Sequence, residues 1–332
     1  MFKLLSINLQ MFAENTQTTG SENLSVEMKT YYSDFLIDNA MPKLVHDQFG
    51  QKHPIPKNGG KTIEFRKFNP LPKLLTPLQE GITPDGQSMT VSKIEATVNQ
   101  YGGYVTLSDM YLLTAIDNNL VYATKLLGNQ AGMTLDTITR EVLNGGTNVI
   151  YSSGKPGTVE SREDLASTNV GAPDETYLKV KDVKAAVRAL KVQNAPKIGD
   201  SYAGIIHPDV TYDLTNDPDW KYPHQYVDTD NIYTGEIGKI AGVRFVETSE
   251  AKVWKEGDVS IYSTLILGDD AYGVTEIEGG GLEHITKPLG AGDDPLNQRA
   301  TCGWKATKVA ERLVEQFMVR IESCSTFNGD VN

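Results

Sequence analysis

Two short alternating runs separated by a proline-laced stretch constrain this chain more than any other feature. From Lys61 to Phe68, Ile63 and Phe65 fall on one side and Glu64 and Arg66 on the other. From Lys93 to Val98, Ile94, Ala96 and Val98 oppose Lys93, Glu95 and Thr97. A period of two is the pattern of a strand. Between the runs lie Pro70, Pro72, Pro77 and Pro84, with turn dipeptides at Glu80-Gly81 and Asp85-Gly86. The segment 52–100 is therefore expected to form a long hairpin with a weakly apolar tip. A two-stranded ribbon is marginally stable in water by itself, so this one makes physical sense when another chain supports it. Phe68, Leu71, Leu74, Leu75, Leu78 and Ile82 are the residues expected to meet that other chain.

The rest of the chain mixes helix and strand signals. Ser108 and Asp109 suit a helix start. Leu112, Ile116, Leu120, Ala123 and Leu127 follow at helical spacing, and Leu135, Ile138 and Val142 resume the stripe past the weakening Gly128 and Gly132. One long helix closing at Asn144-Gly145-Gly146 is expected. Residues 151–175, rich in Gly, Ser, Pro and acid, read as a loop or domain boundary. Val180, Val183, Val187 and Leu190 mark a second helix, and Tyr202 to Ile206 a strand. His207-Pro208-Asp209 should open a further helix. Residues 218–234 read as an irregular loop, Ile237 to Thr248 as a turn and strand, and Ile261 to Leu267 and Tyr272 to Ile277 as strands. Past the glycines at 279–281, Phe317, Val319 and Ile321 alternate with Met318, Arg320 and Glu322. Strands and helices without regular βαβ alternation predict an α+β fold.

With 332 residues the chain has length for roughly two domains. It needs no disulfide to complete a core, since chains of this size bury about three-quarters of their unfolded surface. Its two cysteines, Cys302 and Cys324, lack CxxC spacing and are expected as buried free thiols. The net charge of −12 is the wrong sign for a free-standing nucleic-acid binder. No apolar run reaches the length of a membrane span. Met1-Phe2-Lys3-Leu4-Leu5 faintly resembles a secretion signal, but Asn8 and Gln10 interrupt it. The polar stretch 14–25 reads as a flexible arm.

No catalytic motif stands out. Asn58-Gly59-Gly60-Lys61-Thr62 ends like a phosphate-binding loop, but Ile55 occupies the place of its first glycine and a strand pattern follows Thr62. Gly235, Gly238 and Gly242 lack dinucleotide-fingerprint spacing. Asp269-Asp270 and Asp293-Asp294 have no evident third ligand for a cation. The five histidines show no zinc spacing, and no GxSxG elbow exists. Catalytic, cofactor-binding and metal residues are accordingly expected to be none. The helix near 179–191 carries Lys179, Lys181, Lys184, Arg188 and Lys191. Such a face is ordinarily solvated; the sharper alternative, centred on Lys181, Lys184, Arg188 and Lys191, is a docking surface for acidic neighbours or DNA.

Three stretches carry a family resemblance. The first is Gly60-Lys61-Thr62-Ile63-Glu64-Phe65-Arg66-Lys67-Phe68, continuing through Leu78-Gln79-Glu80-Gly81 to Tyr101-Gly102-Gly103-Tyr104. The second is His207-Pro208-Asp209-Val210 with the run from Gly235 to Thr248. The third is Asp294-Pro295-Leu296-Asn297-Gln298-Arg299 with Gly303-Trp304-Lys305-Ala306 and the closing strand. Together they resemble the tailed-bacteriophage major capsid proteins of the Hong Kong 97-type fold, in the branch named after coliphage N-four.

That resemblance implies an N-terminal arm at 1–51, an extended E-loop hairpin at 52–100, and a peripheral domain with a spine helix at 101–175. An axial domain at 176–260 and C-terminal strands at 261–332, returning to the peripheral domain, complete it. It implies hexamers and pentamers of an icosahedral shell around double-stranded DNA, assembled in the bacterial cytoplasm. A separate scaffolding protein, a portal protein and a decoration protein would be partners, with no membrane and no cofactor. Some family members crosslink an E-loop lysine; Lys61, Lys67 and Lys73 are the candidates here, and no local motif singles one out. An encapsulin-like nanocompartment, an enzyme with a dispersed site, and a tail or decoration protein are the competing readings.

Overall fold

The computed structural model describes residues 16–17, 45–56, 60–68, 71–75, 77, 81, 86–114, 119–153, 159–220, 238–275, 282–290 and 294–332. In chain order its elements are β1 (Thr16–Gln17), β2 (Gln51–Lys52), β3 (Thr62–Phe68), β4 (Val91–Thr97), β5 (Asn99–Ser108), α1 (Asp109–Thr114) and α2 (Asn119–Asn144). Then come β6 (Val149–Tyr151), α3 (Arg162–Gly171), α4 (Pro173–Thr176), α5 (Val180–Val192), β7 (Tyr202–Ile206) and α6 (Pro208–Asn216). The remainder is β8 (Lys239–Ile240), β9 (Val243–Glu247), β10 (Val253–Glu256), β11 (Val259–Leu267), β12 (Tyr272–Thr275), β13 (Glu283–Lys287), β14 (Arg299–Arg312) and β15 (Met318–Ser323). Most of the expected arm, the loop at 218–234 from residue 221 on, and the glycines at 279–281 lie outside the described residues.

The chain divides into two compact units. One comprises Asn99–Thr137 and Gly279–Lys308 with Met1–Leu44; the other comprises Val45–Val98, Ile138–Glu278 and Val309–Asn332. The larger unit is built on a seven-stranded mixed sheet in the order β6-β15-β11-β7-β9-β8, with β10 also on β11. Both faces of this sheet are covered, which is why β11 is buried along nearly its whole length.

Alternation along the strands separates those two faces. On one, Tyr262 and Ile266 of β11, Tyr202 and Ile206 of β7, and Val319 and Ile321 of β15 pack against α5 and α6 through Val183, Val187, Leu190, Val210 and Leu214. On the other, Ile205, Leu265, Leu267 and Met318 meet Leu143 at the end of α2. Beside them Ile261 and Cys324 meet Leu165 of α3. β15 is buried on both sides, so its polar set, Arg320 and Glu322, lies inside the protein.

In the smaller unit, β5 pairs antiparallel with β14 from Asn99↔Lys308 to Ser108↔Arg299, and β13 lies on the other edge of β14. Leu127 and Ala131 of α2 cover Cys302, Trp304 and Ala306. A Cβ on Gly102 would meet the Trp304 carbonyl at 2.7 Å, so the Gly102-Gly103 pair permits this close strand contact.

The structure corrects two expectations. The segment 151–175 is not simply a loop, because it holds α3 and α4. Ser161 caps α3 by accepting from the Asp164 amide at 3.1 Å, and Pro173 opens α4. The turn-rich composition hid this capping signal. The helix expected to run on from Ser108 is recorded as two elements, α1 and α2, with residues 115–118 between them outside the described set. Ser108 does cap α1, accepting from the Tyr111 amide at 3.2 Å. Gly128 and Gly132 do not interrupt α2.

Candidate assembly surfaces

β3 and β4 pair antiparallel along their whole length, from Thr62↔Thr97 to Phe68↔Val91, in a sheet of their own. The register sets Glu64 opposite Glu95 and Arg66 opposite Lys93. Like charges facing each other across a ladder repel, and the repulsion is relieved sideways. Lys93 Nζ lies 2.5 Å from Glu95 and 3.6 Å from Glu64, while Arg66 lies 3.3 Å from Glu64. These exposed contacts hold the Lys93 ammonium above its ordinary pKa and the Glu95 carboxyl below its own, chiefly through their mutual hydrogen bond.

The root and the tip of this ribbon differ. At the root, Phe65, Ala96 and Val98 are buried. Phe65 sits so close to Gly273 that a Cβ there would lie 2.8 Å from its ring. A cleft of about 310 Å³ beside it is lined by Gln51, His53, Phe65 and Leu313 among others. Toward the tip the apolar residues are uncovered: Leu71 is 52 %, Leu74 75 % and Leu75 85 % exposed. Met89 and Val91, which the alternating pattern does not single out, are exposed as well. Both sit on the returning limb, where an isolated Met and a strand's first residue gave no distinct signal. Phe68 closes β3; Leu78 and Ile82 lie outside the described residues.

The cationic residues of α5 divide by role. Lys181 donates to the Ser153 carbonyl at 2.7 Å and so serves the local fold. Lys184, Arg188 and Lys191 recur at helical spacing on an exposed face. With Val187, Val192 and Ala241 they border an open depression of about 470 Å³. Among the described residues no ion pair or hydrogen bond engages these three cations. At the start of α5, Asp182 accepts from Ser152 Oγ at 2.7 Å and from the Lys179 amide at 3.2 Å. Burial nevertheless pushes its carboxyl above the usual range.

A buried ionic cluster was not anticipated. Arg162 of α3 and Arg320 of β15 both contact the fully buried Glu322, and the Arg162 guanidinium lies 3.7 Å over the Trp254 ring. The Glu322 hydrogen bonds raise the Arg162 pKa, whereas burial lowers that of Arg320. In the smaller unit Cys302 Sγ lies 3.2 Å from His284 Nε2 and 3.2 Å from Thr124 Oγ1. Cys302 is buried within the core there, and no carboxylate orients His284 among the described residues. Cys324 is likewise a buried free thiol, its pKa pushed up to about 11 by desolvation. No group of three or more metal-binding side chains occurs among the described residues. Thr62 opens a strand rather than a helix, so the phosphate-loop reading has no helix N-terminus to use.

The family model described as phage capsid protein matches residues 6–277. The chain belongs to the phage capsid protein family. No curated protein matches the sequence. Among solved structures, the capsid of Ralstonia phage GP4 aligns with a TM-score of 0.65 at 14 % identity, covering 91 % of this chain and 96 % of that one. The capsid of Cyanophage P-SCSP1u aligns at 0.63 with 13 % identity, covering 90 % and 93 %. The Cyanophage Pam1 capsid subunit aligns at 0.61 with 13 % identity, covering 95 % and 100 %. At such identities the likeness is one of fold, and the fold of this capsid protein is the Hong Kong 97 type.

Proposed function

We propose that this capsid protein is the major shell subunit of a tailed phage, forming hexamers and pentamers that close into an icosahedral shell around double-stranded DNA. The observation that carries the reading is the β3–β4 ribbon. Its root is packed into its own subunit, while Leu71, Leu74 and Leu75 stand uncovered near its tip. An apolar surface of this kind on a two-stranded element is best explained by a neighbouring subunit beneath it. Binding energy then accumulates from many modest contacts repeated by symmetry, with no chemistry required of the subunit.

In this reading residues 1–51 are an arm, 52–100 the E-loop, 101–175 the peripheral domain, 176–260 the axial domain, and 261–332 the returning strands. The N-four branch is proposed from the three quoted stretches. Scaffolding, portal and decoration proteins are partners inferred from the same resemblance, as is assembly in the host cytoplasm into the virion. Deleting residues 70–86 tests the reading. The expected product is a soluble subunit that forms no closed shells in electron micrographs; normal shells from the deletion would overturn it.

A further inference from the structure

We propose that the basic face of α5 docks onto the acidic α3–α4 face of a second copy of this chain. The inference rests on the shell-subunit reading and supplies a contact for it.

A ring of identical subunits needs a head-to-tail interface, in which two different surfaces of the same subunit complement each other. The seven-stranded sheet supplies two such surfaces on opposite sides. α5 packs on the face carrying Tyr262, Ile266, Val319 and Ile321. α3 packs on the other face, against Ile261 and Cys324. What each helix shows to solvent is opposite in charge. α5 presents Lys184, Arg188 and Lys191, unpaired among the described residues of a chain of net charge −12. α3 and α4 present Glu163, Asp174 and Glu175, all exposed.

The apolar features match as well. Glu163, Ser167 and Val170 fall on one stripe of α3. Val170, beside the start of α4, is 81 % exposed and forms an apolar knob among acids. The α5 depression of about 470 Å³ has Val187, Val192 and Ala241 in its wall and cations on its rim. An apolar centre bordered by charge is the anatomy of a protein interface. Duplex DNA has no apolar knob to fill that depression, and three phosphate contacts alone would bind it weakly.

Charge exchange tests the pairing. One variant carries Lys184→Glu, Arg188→Glu and Lys191→Glu; a second carries Glu163→Lys, Asp174→Lys and Glu175→Lys; a third carries all six. Shells are counted by electron microscopy and sedimentation, and circular dichroism of unassembled subunits checks the fold. Each three-site variant should lose shells by about tenfold or more, since like charges facing across an interface cost several kcal/mol. The six-site variant should regain them. Wild-type protein that never forms shells, even when expressed with its neighbouring phage genes, would sink the shell-subunit reading itself. Wild-type shells accompanied by undiminished assembly of either three-site variant, or by no rescue in the six-site variant, would overturn the pairing alone. Shells that form normally from the first variant but hold less DNA would also overturn it, in favour of a DNA contact. Should charge reversal unfold the subunit, Lys184→Gln, Arg188→Gln and Lys191→Gln carry the test. Their assembly should lose its salt dependence, and an unchanged salt profile would overturn the pairing.

Discussion

Arg162 of α3 grips Glu322 of β15 through two hydrogen bonds, Nε to Oε2 at 2.7 Å and Nη2 to Oε1 at 2.8 Å. The planar fork of the guanidinium matches the carboxylate, so the contact fixes direction as well as distance. Glu322 Oε1 also forms an ion pair with Arg320, whose Nε lies 2.8 Å away. Arg320 in turn donates to the carbonyls of Asn144 and Gly146 at the end of α2. A single buried carboxylate thus ties α3 and β15 together and steadies the cation that closes α2.

Glu322→Gln should therefore destabilise the subunit by about 3–5 kcal/mol, because two partly buried guanidinium groups lose their counter-charge. Chemical denaturation of the unassembled protein measures this. A loss below about 1 kcal/mol would show that water reaches the cluster and replaces the carboxylate.

His207 makes stability depend on acid. Its Nδ1 accepts the Asp209 amide at 3.1 Å and caps α6, a role only the unprotonated nitrogen fills. Burial lowers its pKa below the ordinary value of 6.5, although Asp209 and Glu247 oppose the shift. A lowered folded pKa means that stability is fully present above the unfolded value and is lost as pH falls from 6.5 toward the folded value. His207→Asn keeps a capping acceptor without a titrating group. The melting temperature of wild type should fall relative to this variant as pH drops below 6.5, and parallel curves would refute the cap's protonation.

The apolar tip should matter to assembly and not to the fold. Leu74→Asp with Leu75→Asp changes residues 75 % and 85 % exposed, so unfolding stability should shift by no more than about 0.5 kcal/mol. Shell yield should fall steeply. Equal yields from variant and wild type would remove the tip from the interface.

Gly273→Ala tests the root. Its new Cβ would lie 2.8 Å from Phe65 and 3.4 Å from Leu313, and overpacking of this kind costs about 1–3 kcal/mol. Amide exchange should quicken at Ala96 and Val98, whose neighbours the ribbon root shares. Unchanged protection there would mean that Phe65 turns aside freely.

Local chemistry made much of the fold legible. The ribbon, α5, β7 and the start of α6 at Pro208 follow from periodicity and caps carried within a few residues. α3 escaped because its anchor, Glu322, lies 160 residues away. Its own sequence, with Ser167, Thr168, Asn169 and Gly171, offers little apolar stripe. Alternation along β15 was visible, but it could not tell a solvated polar edge from a buried one. That distinction depends on α3 covering the second face. The exposed Leu74 and Leu75 were readable from the proline-rich setting. The opposed placement of α3 and α5 was not, since it follows from how seven strands are ordered.

That strand order also governs when the fold can be finished. β15 lies between β6 and β11 in the sheet, yet it is the last of these strands to leave the ribosome. Until Met318–Ser323 emerge, the edge of β11 from Tyr262 to Leu267 has no strand to zip against. A nascent chain stalled before that point carries an open, apolar strand edge, the kind that recruits strands from other molecules. A break in synthesis between β11 and β15 is thus hazardous to this protein, and the arrival of β15 works as the catch that seals each newly made subunit.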